Sequence, residues 1–110
     1  MTKDNQIKKE YKRIHSLYET LPADSLELLE PMIQNAAFMK VSLSGMQSDI
    51  NSCGCTEEYQ NGKEQTGMKQ SATLQSYIAL MKLYNSTIEL LNKKLPPGTK
   101  NSKLENFLND

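Results

Sequence analysis

Tryptophan is absent from this chain of 110 residues, histidine occurs once and cysteine twice. Net charge is absent as well, since 13 Lys and Arg balance 13 Asp and Glu. Each absence excludes something. Balanced charge argues against coating nucleic acid or an anionic membrane by bulk attraction. No segment approaches the roughly 18 continuous apolar residues of a membrane span. The opening MTKDNQIKKE lacks the apolar run of a secretory signal, so a cytoplasmic chain with no membrane partner is expected. Cys53 and Cys55 are separated by one glycine, and a disulfide there would close a very small, strained ring. Reduced thiols in a turn are the expected state.

The same scarcity limits chemistry. A structural zinc needs four ligands, and two thiols with one distant imidazole fall short. His15 sits beside an apolar stripe with no evident nucleophile or fixed carboxylate to work with. Gly62-Lys63 lacks the earlier glycine and the following hydroxyl of a phosphate-cradling loop. Glu57, Glu58 and Glu64 read as a solvated acidic turn, and Met32, Met39 and Met46 as adaptable core. No catalytic residue, metal or cofactor is assigned.

Charge is present but unevenly placed. Residues 1–15 carry five cations against two acids, +3; residues 16–64 carry two against eight, −6; residues 65–110 carry six against three, +3 again. Basic ends flank an acidic middle, which suits either solvated faces with charge pairing between subunits or a weak nucleic-acid contact at the N-terminal segment.

The apolar pattern is helical. Ile7, Tyr11, Ile14, Tyr18 and Leu21 recur in steps of four and three, predicting a helix over about 4–20 that ends at Leu21-Pro22. Asp24 and Glu27 fit a capping box that opens a second helix running to about Ser52, with Pro31 expected to kink it or delay its start and Gly45 a second soft point. Two apolar stripes run along it: Leu26, Leu29, Ile33, Ala36 and Ala37, and beside them Leu28, Met32, Met39, Leu43, Met46 and Ile50. In residues 53–69 the period breaks, and Asn61-Gly62 signals a tight hairpin with Glu57–Gln60 and Lys63–Thr66 as its arms. Ser71 is the expected N-cap of a third helix reaching Leu95, with Leu74, Tyr77, Ile78, Met81, Tyr84, Ile88 and Leu91 on its face and Leu80, Leu83 and Leu90 widening it. A last short helix is expected from Ser102, bearing Leu104, Phe107 and Leu108.

The predicted fold is therefore mainly α. It is one domain, 1–110: an N-terminal helix within 1–22, a long antiparallel helical hairpin within 23–95 (about 24–52 and 71–95) with a small β-hairpin or irregular loop at 55–67, and a C-terminal tail, 96–110. A compact globule of this length spans only about 30–35 Å, whereas the two long helices measure roughly 42 and 37 Å at 1.5 Å per residue. Two stripes on one helix cannot both be hidden inside a two-helix hairpin, so neighbouring copies are the simplest cover. Leu28, Met32, Met39 and Leu43 of the second helix, with Leu80, Leu83 and Leu90 of the third, are the candidate oligomerisation residues.

The order of features carries a resemblance. Tyr11-Lys-Arg-Ile-His-Ser-Leu-Tyr18 is followed by LPADSLELLEPMIQNAAFMK, a helix ending in INSCGC, then EEYQNGKEQTGMKQSATLQSYIALMKLYNSTIELLNKKL. Over residues 8–97 this resembles the helical-hairpin type of terminase small subunit from tailed bacteriophages and prophages. The matching places are Asp24 to Leu28, Gly54, Asn61-Gly62 and Leu90-Leu91 to Leu95; Tyr11 stands where members often carry Trp. The resemblance implies a non-enzymatic DNA-packaging component in the host bacterial cytoplasm. Such a subunit forms a homo-oligomeric ring, binds double-stranded viral DNA and regulates a large terminase subunit. By charge alone, Lys8, Lys9, Lys12 and Arg13 are the candidate DNA-binding residues, with Lys93, Lys94, Lys100 and Lys103 second. The alternative is an all-helical protein–protein adaptor that does not bind DNA. A regulator of the helix-turn-helix type would need a second short helix after a tight turn, and none is found.

Overall fold

The computed structural model describes residues 2–54, 56–60 and 66–97. They form α1 (Lys3–His15), a 3₁₀ turn (Ser16–Tyr18), α2 (Ala23–Cys53), β1 (Thr56–Gln60), β2 (Thr66–Gln70) and α3 (Ala72–Lys93). The molecule is a helical hairpin of α2 and α3 with α1 laid against α2. It measures 63 × 27 × 24 Å and has a radius of gyration of 18.2 Å. A compact domain of this length would have about 13 Å, so the expected elongation is present.

α1 starts where the Thr2 side chain accepts a 3.2 Å bond from the Asn5 amide, one of the four amides a helix start leaves unpaired. Asp4 in its first turn and Lys12, Arg13 and His15 in its last match the helix dipole. The α-helix stops at His15, short of the expected residue 20. Tyr18 is then carried inward by the tighter 3₁₀ turn, and the Leu21 amide closes on the Tyr18 carbonyl at 3.0 Å.

The α2 start also differs from the expected capping box. Pro22, in extended conformation, holds the N-cap position, and its carbonyl accepts the first helical bond from the Leu26 amide at 3.0 Å. Asp24 is thereby already inside the first turn, where its carboxylate acts on the dipole instead of capping. Pro31 lies within the continuous helix and does not delay its start. At the far end Gly54 closes α2 with φ +87°, its amide donating to the Ile50 carbonyl at 2.7 Å; glycine takes this left-handed conformation without a Cβ penalty.

β1 and β2 pair antiparallel, with Thr56 opposite Gln70 and Gln60 opposite Thr66. The second arm is thus Thr66–Gln70, not Lys63–Thr66. With this register the ladder runs to Gln70, the residue before Ser71. Cys55, the Asn61-Gly62 turn and the short helix expected from Ser102 lie outside the described residues. Ser71 caps α3 as expected, accepting from the Leu74 amide at 3.0 Å.

The core gathers at one end of the hairpin. Ile14, Tyr18, Leu29, Ile33, Ala36, Ala37, Leu91 and Leu95 are buried together, with Ile7, Tyr11, Leu21, Leu26, Tyr84 and Ile88 packed around them. Ala36 and Ala37 are small enough to let α1 and α3 close on α2. Beyond Ser42 in α2, and before Leu91 in α3, no helical residue is buried.

Candidate functional site

Two surfaces flank this core. The first is an apolar groove of about 610 Å³ between α2 and α3, lined by Leu28, Pro31, Met32, Asn35, Phe38, Met39, Leu83 and Thr87. Leu28 is 83% exposed, Leu83 62%, Phe38 50% and Leu90 48%. Of the predicted second stripe of α2, Leu28 is exposed, Met32, Leu43, Met46 and Ile50 are half-buried and Met39 is buried. Four of the candidate contact residues, Leu28, Met32, Met39 and Leu83, come together in this groove, although Met39 is itself buried. Leu80 lines a neighbouring depression with Phe38 and Met46, while Leu43 is half-buried and Leu90 lies outside the groove.

The second surface is α1. Lys8, Lys9 and Lys12 are exposed along it. Arg13 is not a free cation: its Nε and Nη2 donate to the two Glu10 oxygens at 2.9 and 2.8 Å. The Lys40 Nζ of α2 approaches the same carboxylate at 3.9 Å, and Glu10 retains only 12% side-chain exposure. In α3 the Tyr84 phenol pKa is raised, by burial first and then by the Glu10 charge, with Arg13 opposing. Glu10 thus ties α1 to α2 at this point. Sequence reasoning passed over both Glu10 and Lys40, yet two signals were present. Glu10 and Arg13 have the i,i+3 spacing of a helical ion pair, and Lys40 is the lone cation between residues 16 and 62.

A second polar contact joins α1 to α2 near the core. The Tyr11 hydroxyl donates to Glu30 Oε1 at 3.3 Å, His15 Nε2 lies 3.9 Å from the same oxygen, and the Tyr11 and His15 rings are 5.4 Å apart. His15 is thereby placed in a packing contact. Of the second-choice cations, Lys93 and Lys94 are exposed at the end of α3, and Lys100 and Lys103 lie outside the described residues.

The groove and the α1 contact occupy opposite sides of α2. Leu28, Met32, Asn35 and Met39 fall on one helical face, and Lys40 and Ser44 fall more than a quarter-turn round from it at 100° per residue. Among the described residues, no group of three or more His, Cys, Asp or Glu is arranged to hold a metal ion, and no helix is long and apolar enough to cross a membrane. Comparison of the chain with protein-family models, with curated proteins and with solved structures gives no match.

Proposed function

We propose that this chain is the small, non-catalytic subunit of a phage DNA-packaging terminase. In this reading it assembles with copies of itself, contacts duplex DNA through α1 and acts on a large catalytic subunit. The observation that carries the reading is the unfinished burial of the hairpin. Beyond Ser42 in α2 and before Leu91 in α3 no helical side chain is buried, and an apolar groove with Leu28 and Leu83 mostly in water runs along one side. Complete burial of such a side chain stabilises by about 1.5–3 kcal/mol, so copies that covered the groove would supply what the monomer core lacks. The basic face of α1 lies away from that groove and is left available in an assembly.

The test is fluorescence anisotropy with a duplex DNA probe over 50–200 mM salt. Three lysines on phosphates predict a slope of log K against log salt of about −2.7. Reversal of charge at Lys8, Lys9 and Lys12 should abolish binding; binding that survived it would move the site elsewhere. One observation favours the protein adaptor instead, namely that Arg13 is already neutralised by Glu10. No DNA binding at 50 mM salt would select the adaptor.

A further inference from the structure

The apolar groove between α2 and α3 does not stop at Leu28. That side chain also lines a depression of about 270 Å³ with Leu21, Ser25, Leu29 and Lys94, so one trough runs from the end of α3 to Phe38 and Leu83. Measured along α3 from Lys94 to Leu83, it is roughly 16 Å long at 1.5 Å per residue. The described fold ends at Pro97, close after Lys94 in the chain. The next residues therefore set out from the near end of the trough.

Those residues are 98–110, GTKNSKLENFLND, outside the described part of the chain. Leu104, Phe107 and Leu108 have the i, i+3, i+4 spacing of one helical face, and a helix over 102–110 measures about 13 Å, a fit to the trough. Residues 61–65, NGKEQ, offer no apolar side chain for it. Charge sets a direction. In the segment, Lys100 precedes Leu104 by one helical turn and Lys103 precedes Phe107. On α2 the exposed Asp24 precedes Leu28 by one turn, and the exposed Glu27 precedes Pro31. Laid parallel to α2, the segment sets Lys100 by Asp24 and Lys103 by Glu27 as Leu104 meets Leu28 and Phe107 enters the groove. We propose that the groove takes segment 98–110 of a second copy, docked as an amphipathic helix. The segment is long enough to reach its own groove, and its origin in a second copy rests on the self-assembly proposed above. Each copy then gives one segment and receives one, a head-to-tail contact that builds a ring when the rotation closes.

Two full-chain variants test the exchange by sedimentation. Leu104→Asp with Phe107→Asp keeps the groove and spoils the segment; Leu28→Asp with Leu83→Asp does the reverse. Each should be monomeric alone, and their equimolar mixture should form a one-to-one complex. Wild-type assembly by the segment variant would overturn the proposal and leave self-assembly through other contacts standing. Variants that stay apart on mixing would also overturn it. A fluorescent peptide of residues 98–110, titrated with the segment variant, reads the contact itself. Glu27→Lys in that variant should weaken peptide binding several-fold, and a Lys103→Glu peptide should restore it; failure to restore it would overturn the docking direction. If the wild-type chain is monomeric, the second copy is rejected with the self-assembly reading. Saturable peptide binding would then keep the segment in the groove of its own chain, and no binding would reject both.

Discussion

The Tyr18 hydroxyl donates a 2.6 Å hydrogen bond to the Leu91 carbonyl, across 73 residues of chain. Leu91 is in the last turn of α3, where carbonyls lack helical partners, and its oxygen also accepts from the Lys94 amide at 3.0 Å. The 3₁₀ turn that follows α1 thus finishes α3 from outside. Tyr18→Phe keeps the ring in the core and removes only the donor. Because Lys94 still satisfies the carbonyl, the cost should be about 0.5–1.5 kcal/mol in urea denaturation, with an unchanged m-value.

Burial also pushes the Tyr18 phenol up to about 12 from its ordinary value of 10.0. The folded state therefore favours the protonated form. Its contribution to stability is full below pH 10 and is lost as pH rises from 10 through 12, at about 1.4 kcal/mol per unit. Tyr11 and Tyr84 shift the same way, each by burial first and then by the charge of Glu30 or Glu10. Urea midpoints should hold steady up to pH 9 and fall above pH 10. In Tyr18→Phe the fall should be shallower, and an equal fall would show that Tyr18 has no part in it.

Core and groove should respond differently to truncation. Ile33 is fully buried among the three helices, so Ile33→Ala should cost about 2–5 kcal/mol. Leu28→Ser, at a site 83% exposed, should leave monomer stability within about 0.5 kcal/mol while reducing self-association in sedimentation experiments.

Gly45 sits in the interior of α2 with open space where a Cβ would stand. Gly45→Ala should raise stability by about 0.5–1 kcal/mol through helix propensity, measured as a higher denaturation midpoint. A loss would indicate that this site is packed in an assembly.

Periodicity made the fold legible because each helix carries an apolar stripe that contributes residues to the core. Ile14, Tyr18, Leu29, Ile33, Ala36, Ala37 and Leu91 were all on the predicted stripes and all are in the core. Local chemistry was less readable. Asp24 matches a cap in spacing, but Pro22 starts the helix earlier, and a three-residue window cannot show that competition. Asn61-Gly62 suggests a two-residue turn, yet Gln60 pairs with Thr66, so the turn dipeptide alone does not set the register. The Glu10 cluster was hidden for a different reason: Lys40 lies 30 residues from Glu10, and only the packing of α1 on α2 brings them together.

The central claim is that the hairpin is a subunit whose groove is covered by copies of itself, and particle mass in solution tests it most directly. The chain has a mass of 12.5 kDa. Sedimentation equilibrium at micromolar concentration should give a multiple of that value, reduced toward 12.5 kDa by combined Leu28→Asp and Leu83→Asp. A stable, folded wild-type monomer would contradict the account.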